Sequence, residues 1–159
     1  MAELLPVTTK DLSKFEYPSK TDRFGNPLEF EDVTDTIEKY AVAGTLYLLS
    51  EDKDCKVALY GPKCFFGDEK EFVEAARLGL RLTTSEGTYT YIIPLDDMDD
   101  YFAAGTENEP VAPKIFLGNL PADEVTTLDY YLYLEGTDEE CKNQAQNRAA
   151  ELQFYFAGF

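Results

Sequence analysis

The feature that most constrains the fold of this chain is a two-residue alternation of apolar and polar side chains. It is clearest in residues 125–135, where Leu128, Leu132 and Leu134 share one parity and Asp129 lies on the other. Successive side chains of a strand point to opposite faces, so this pattern predicts a strand with one apolar face. The same alternation recurs in residues 76–84, 88–93 and 151–156.

Turn residues between these segments predict seven to nine short strands, with at most short helices in the loops. We therefore expect an all-β chain that folds as an antiparallel β-sandwich. A length of 159 residues suits one such domain. We assign residues 1–20 to an N-terminal arm or first strand and residues 21–159 to a single β-sandwich domain.

Three segments are less simple. Tyr40 to Ser50 is largely apolar at both parities, as expected for a strand inside a sandwich or at an interface. Residues 57–60 are predicted as a short strand that Gly61-Pro62 ends. Residues 72–76 could form a helical turn, but the alternation from Ala76 onward favours a strand.

The charge of the chain limits its partners. It has 31 acidic and 14 basic residues, a formal net charge of −17. This surface repels phosphate backbones and anionic membranes, so nucleic acid is not an expected partner. It favours solubility and attracts cations or basic partners. No apolar run of 18 residues is present to span a membrane.

The absence of histidine bears on chemistry. Without His, the chain cannot form Ser-His-Asp or Cys-His arrangements or a His-ligated zinc site. No glycine-rich phosphate-binding loop is present either. A hydrolase that uses paired carboxylates remains formally possible, but carboxylates are so abundant that the signal is unspecific. We expect a protein that is not an enzyme.

The weak candidate for a cofactor site is an acidic run that could hold Ca²⁺. Its oxygen ligands would come from Asp96, Asp97, Asp99 and Asp100. The run lacks the spaced aspartates and the final glutamate of a calcium-binding loop, so a solvated acidic loop is the alternative. We expect no other cofactor.

Three cysteines leave the redox state open. Cys55 and Cys64 flank the turn-like residues 60–63, and a disulfide between them would contribute about 2–3 kcal/mol. Reduced thiols, with Cys141 as the third, are the alternative.

Tyrosines suggest one interaction surface. Tyr131, Tyr133 and Tyr155 lie at outward parities of predicted strands, and exposed tyrosines suit a protein interface or a sugar-stacking platform. The alternative is a second buried face, between sheets or under a loop.

The N-terminal arm suggests a second interaction surface. Leu4, Leu5 and Val7 are apolar without a periodicity of their own, and such an arm could add as a strand to a neighbouring subunit. The alternative is a strand or tail within its own subunit.

Two segments carry a resemblance to a known family. Residues 132–143, followed by Leu152-Gln153-Phe154, resemble the ending of secreted Gram-positive proteins related to TasA and camelysin. Residues 76–82 resemble an internal strand of the same family. Tyr133 stands where the family often has Trp, and Glu140 where it often has Asp.

This resemblance implies a jelly-roll-like sandwich and an extracellular or cell-surface role in fibres or biofilm matrix. The expected partners are further copies, in an oligomer or filament, and other surface proteins or glycans. The metalloprotease activity ascribed to camelysin is not expected, because the chain has no His. A monomeric binding module for glycans or peptides is the alternative.

The first residues, Met1 to Pro6, lack the basic start and apolar stretch of a signal peptide. The residues alone therefore fit a cytosolic protein, or an exported one in which Met1 replaces a removed signal.

Overall fold

The computed structural model describes residues 5–65, 74–95, 114–137 and 151–158, with 60–65, 114, 151–155 and 157 described as backbone only. These residues are mostly β-structure, which confirms the all-β prediction. A 3-10 helix, Thr34–Lys39, precedes the fourth strand. The strands are β1 (Thr8–Thr9), β2 (Phe15–Thr21), β3 (Pro27–Asp32), β4 (Ala41–Leu49), β5 (Cys55–Phe65), β6 (Ala76–Thr84), β7 (Gly87–Pro94), β8 (Lys114–Leu120), β9 (Val125–Leu134) and β10 (Glu151–Gly158).

The described residues form ten strands, more than the seven to nine predicted, because the N-terminal region supplies three of them. They form three antiparallel sheets. The central sheet has the order β4-β9-β6-β7, the outer sheet β10-β5-β8, and the N-terminal sheet β1-β2-β3. From β4 to β10 the chain passes repeatedly between the central and outer sheets, as in Greek-key sandwiches.

One face of the central sheet packs against the outer sheet. Leu78, Leu80 and Leu82 of β6 are fully buried there against Leu59 of β5 and Leu117 of β8. These are the parities that the alternation predicts to be apolar. Burial of each such side chain contributes roughly 1.5–3 kcal/mol, so this core holds the sandwich together.

The other face of the central sheet carries a second core. Val7 and Phe15 are buried there beside Tyr133 of β9. The Val7 N–H donates to the Leu134 carbonyl, and the Val7 carbonyl accepts from the Gly136 N–H, both at 2.9 Å. Residues 5–14, here called the N-terminal strap, therefore pack on the central sheet, and residue 20, the expected end of the arm or first strand, lies inside β2.

Strand β5 corrects two predictions. It does not end at Gly61-Pro62 but continues to Phe65, with one extra residue relative to β10 between Tyr60 and Lys63. Pro62 has no N–H, and a β-bulge tolerates this in a central strand. Cys55 and Cys64 lie near opposite ends of β5, about 30 Å apart at about 3.3 Å per residue. A disulfide requires Cα atoms within about 7 Å, so the predicted bridge is wrong, and the Cys55 thiol is free.

Leu12 fixes the strap to the central sheet. Its backbone has the left-handed φ of 63°, which aims a fully buried side chain at Gly79 of β6. A Cβ at Gly79 would lie 2.5 Å from the Leu12 Cδ2, so a side chain there would force the buried Leu12 side chain to move. Arg81 also donates to the Leu12 carbonyl at 3.0 Å.

We expect Leu12→Ala to lower the free energy of unfolding by about 2–5 kcal/mol, because it leaves a cavity above Gly79. Urea denaturation measures this loss. Lys10→Ala, at an exposed position of the same strap, is the control and should leave stability nearly unchanged. Equal midpoints for Leu12→Ala and the unmodified chain would contradict the role given to Leu12.

Candidate interaction site

The predicted tyrosine platform is internal. The Phe15 ring lies over Tyr131 at 4.9 Å between centroids and meets Tyr133 edge-on at 5.9 Å. Tyr133 is fully buried and Tyr131 half-buried, so their assignment to an exposed surface is wrong. A covered second face was the alternative, and Phe15 is part of the cover. The backbone of Tyr155 pairs with Tyr60, and the structure describes only the backbone of Tyr155.

The predicted arm contacts are also changed. Val7 is fully buried within its own subunit, so it does not serve as an exposed contact for a neighbour. Leu5 is half-buried, and Leu4 lies outside the described residues. The strap thus packs within its own subunit, which was the alternative to adding as a strand to a neighbour.

The predicted calcium ligands Asp96, Asp97, Asp99 and Asp100 lie outside the described residues, so this site stays a prediction. Within the part of the chain that the structure describes, no group of three or more Asp, Glu or Cys side chains is placed to hold a metal ion.

The exposed feature of the central sheet is its edge strand, β4. All nine residues of β4 pair with β9, from Ala41 opposite Tyr133 to Leu49 opposite Val125. No described strand pairs with the other side of β4. An edge of this kind presents a row of N–H and C=O groups to any chain that can lie beside it.

Apolar side chains follow this edge on both faces of the sheet. Tyr47 is 73% exposed and Leu49 54% on one face, and Val42 is 54% and Leu46 37% exposed on the other. Val125, opposite Leu49, is 65% exposed. We call these five residues together with the free side of β4 the β4 edge. β4 itself carries no charged residue, although the chain has 31 acidic ones.

A row of polar contacts positions the middle of β4. Arg81 of β6 contacts Asp129 of β9 at 3.3 Å, and Asp129 accepts a hydrogen bond of 2.6 Å from the Thr45 hydroxyl. Since Arg81 also binds the Leu12 carbonyl, the row connects the strap to β4 across three neighbouring strands. It holds Thr45 in register and places a cation beside the Asp129 carboxylate.

Two other sheet edges differ from β4. The free side of β3 carries Glu29, Glu31 and Asp32, acidic residues of the kind that discourage strand addition. At the far edge of the central sheet, the Tyr91 hydroxyl of β7 donates to the Leu117 carbonyl of β8 at 3.1 Å, which draws that edge toward the outer sheet. The β4 edge has neither feature.

Sequence reasoning placed residues 40–50 inside a sandwich or at an interface, but it included none of them among the candidate site residues. The signal was present, because residues 40–50 are apolar at both parities. That pattern fits a strand buried on both faces as well as it fits an exposed apolar edge. Only the widths of the layers that cover the sheet distinguish these two cases.

Comparison of the chain with models of known protein families, with curated proteins and with solved structures finds no match. None of the helical segments in the described ranges has the length and apolar character needed to cross a bilayer.

Tyr133 gives a test of the covered face. Its buried hydroxyl has no hydrogen-bond partner among the described residues. We expect Tyr133→Phe to raise the free energy of unfolding by about 1 kcal/mol at neutral pH, because it removes an unsatisfied polar group. Urea denaturation measures this, and Tyr47→Phe, at an exposed position, should change nothing.

The same variant has a pH signature. Burial, aided by the charge of Glu135, raises the pKa of Tyr133 well above its ordinary value of 10.0. Above pH 10 the unfolded chain releases this proton while the folded chain keeps it, so stability falls as pH rises. Tyr133→Phe should therefore lose stability less steeply above pH 10 than the unmodified chain. Parallel curves for the two proteins would contradict burial of this hydroxyl.

Proposed function

We propose that this chain is a structural protein without enzymatic activity, which assembles at the cell surface or outside the cell by strand addition at the β4 edge. The observation that carries the proposal is the β4 edge itself. It is nine residues long, uncharged, paired on one side and apolar on both faces.

Strand addition needs two kinds of contact, and the β4 edge offers both. Its free N–H and C=O groups can continue the ladder that β4 already forms with β9. Tyr47 and Leu49 on one face and Leu46 on the other then lose contact with water. Removing such apolar area from water contributes roughly 25 cal/mol per Å², which stabilises the bound strand.

The extracellular fibre or biofilm role rests on the resemblance of residues 132–143 and 76–82 to proteins related to TasA and camelysin. A net charge of −17 supports a protein that stays soluble while it associates at a limited surface. The same charge disfavours nucleic acid as a partner.

A monomeric module that binds an extended peptide is the second candidate, because a peptide strand could use the same β4 edge. A glycan platform is less well supported, since the Tyr131 and Tyr133 rings lie under Phe15.

Lysine at the β4 edge tests the proposal. We expect the double variant Leu46→Lys, Tyr47→Lys to weaken association at least tenfold, because strand addition would desolvate both charges. Sedimentation velocity over a concentration series, with filaments counted by negative-stain microscopy, measures the change.

The control is Thr88→Lys, Thr90→Lys, which adds the same charge at exposed positions of β7, the opposite edge of the central sheet. It should associate like the unmodified chain. Equal association of the β4 variant and the unmodified chain would reject the β4 edge as the joining surface.

A further inference from the structure

The side chains of β4 are ordered by size along the strand. The first four residues, Ala41 to Gly44, are small or medium, Thr45 stands in the middle, and the last four, Leu46 to Leu49, are large. Such a strand favours one direction of the chain that pairs with it, because side chains that lie opposite each other must share the same space.

Antiparallel pairing of β4 with a second β4 resolves this competition. When Thr45 lies opposite Thr45 of the second copy, each small residue meets a large one on the same face of the sheet. Leu49 then lies opposite Ala41 and Tyr47 opposite Ala43 on one face. On the other face, Leu48 lies opposite Val42 and Leu46 opposite Gly44.

The space above Gly44 is already filled within one subunit by the Tyr130 side chain. A Cβ there would collide with the Tyr130 hydroxyl, because the Tyr130 ring of β9 lies over the glycine. Leu46 of a second copy would therefore meet an aromatic ring beside Gly44. Parallel pairing in register would instead place Tyr47 on Tyr47 and the small residues on one another, which leaves gaps at one end of the strand.

The charges near the middle of the strand permit such a contact. Two copies that each carry −17 repel one another, but β4 brings no charged side chain to the junction. The nearby Asp129 carboxylate is paired with Arg81 at 3.3 Å. The remaining repulsion is long-range, and salt screens it.

We propose that the occupant of the β4 edge is a second copy of this chain, paired antiparallel about a twofold axis through Thr45. This rests on the proposed function and specifies its partner. The two four-stranded central sheets become one sheet of eight strands. A twofold interface of this kind is closed, so the dimer is the unit of assembly and any filament is built from dimers through another surface.

Cysteine crosslinking tests the register. In a background with Cys55, Cys64 and Cys141 replaced by Ala, Thr45→Cys places two thiols directly opposite each other. Their Cα atoms would lie about 4.5–5.5 Å apart, within reach of a disulfide. Tyr47→Cys places its thiols about 14 Å apart, since each lies four residues from its copy along the strand.

We expect copper-phenanthroline oxidation to convert most of Thr45→Cys to a covalent dimer and to leave Tyr47→Cys monomeric. Mixing Ala43→Cys with Tyr47→Cys should restore the crosslink, because these positions face each other across the axis. The unmodified chain offers a check free of substitutions. Its β4 amides should exchange with deuterium at least tenfold more slowly at dimerising concentrations than in dilute solution.

Each other outcome has a distinct meaning. Equal crosslinking of Thr45→Cys and Tyr47→Cys would overturn the antiparallel register while keeping strand addition. No crosslinking, with association still weakened by Leu46→Lys, Tyr47→Lys, would overturn β4 of the second copy as the occupant and leave the β4 edge as a site for a different strand. No crosslinking and no effect of the lysines would reject both proposals.

Salt provides an independent readout of the same dimer. We expect its dissociation constant to fall at least threefold as NaCl is raised from about 0.1 M to about 1 M, because the screening length shrinks from about 10 Å to about 3 Å. A basic partner would show the opposite dependence. A dissociation constant that rises with salt would therefore overturn the second copy as the occupant.

Discussion

Burial of both faces of β6 and β9 is the constraint on which the rest of the structure depends. Leu80 faces the outer sheet, whereas the neighbouring Arg81 faces the strap, where it holds the Leu12 carbonyl. A sheet that is buried on one face can expose the polar side chains of its other face to water. In this sheet Tyr133 and Gly79 make the other face apolar as well. The N-terminal region is therefore required as a third layer, and it cannot act as a free arm without exposing a core.

The two covers leave part of the central sheet bare. Ala41, at the first end of β4, is buried under the N-terminal region, whereas Tyr47 and Leu49 at the other end are largely exposed. On the opposite face, Leu48 reaches the core but Val42 and Leu46 remain in contact with water. The β4 edge is thus a consequence of layer widths. The apolar composition of β4 makes sense if a further layer or strand covers it.

The period of two predicted the strands of the central sheet and their inward parities, because one buried face imposes that rhythm directly. It could not predict the strap, whose anchoring residues Val7 and Leu12 follow no period. Leu12 is held by a left-handed backbone and by the absence of a side chain at Gly79, features that involve residues far apart in sequence. The same limitation affected the site. Tyr131 and Tyr133 have the parity of surface residues, and only the position of Phe15 shows that they are covered.

The charge of the chain and the neutrality of β4 belong to one argument. Acidic residues on β3 disfavour strand addition at that edge, and the net charge of −17 opposes unspecific contact between copies over the rest of the surface. Association is then favourable only where apolar burial and a backbone ladder exceed the repulsion. For the proposed dimer, the order of β4 from small to large residues narrows the choice further, since it favours an antiparallel second copy in one register. In the proposed dimer, specificity therefore arises as much from the charged surfaces that repel as from the β4 edge.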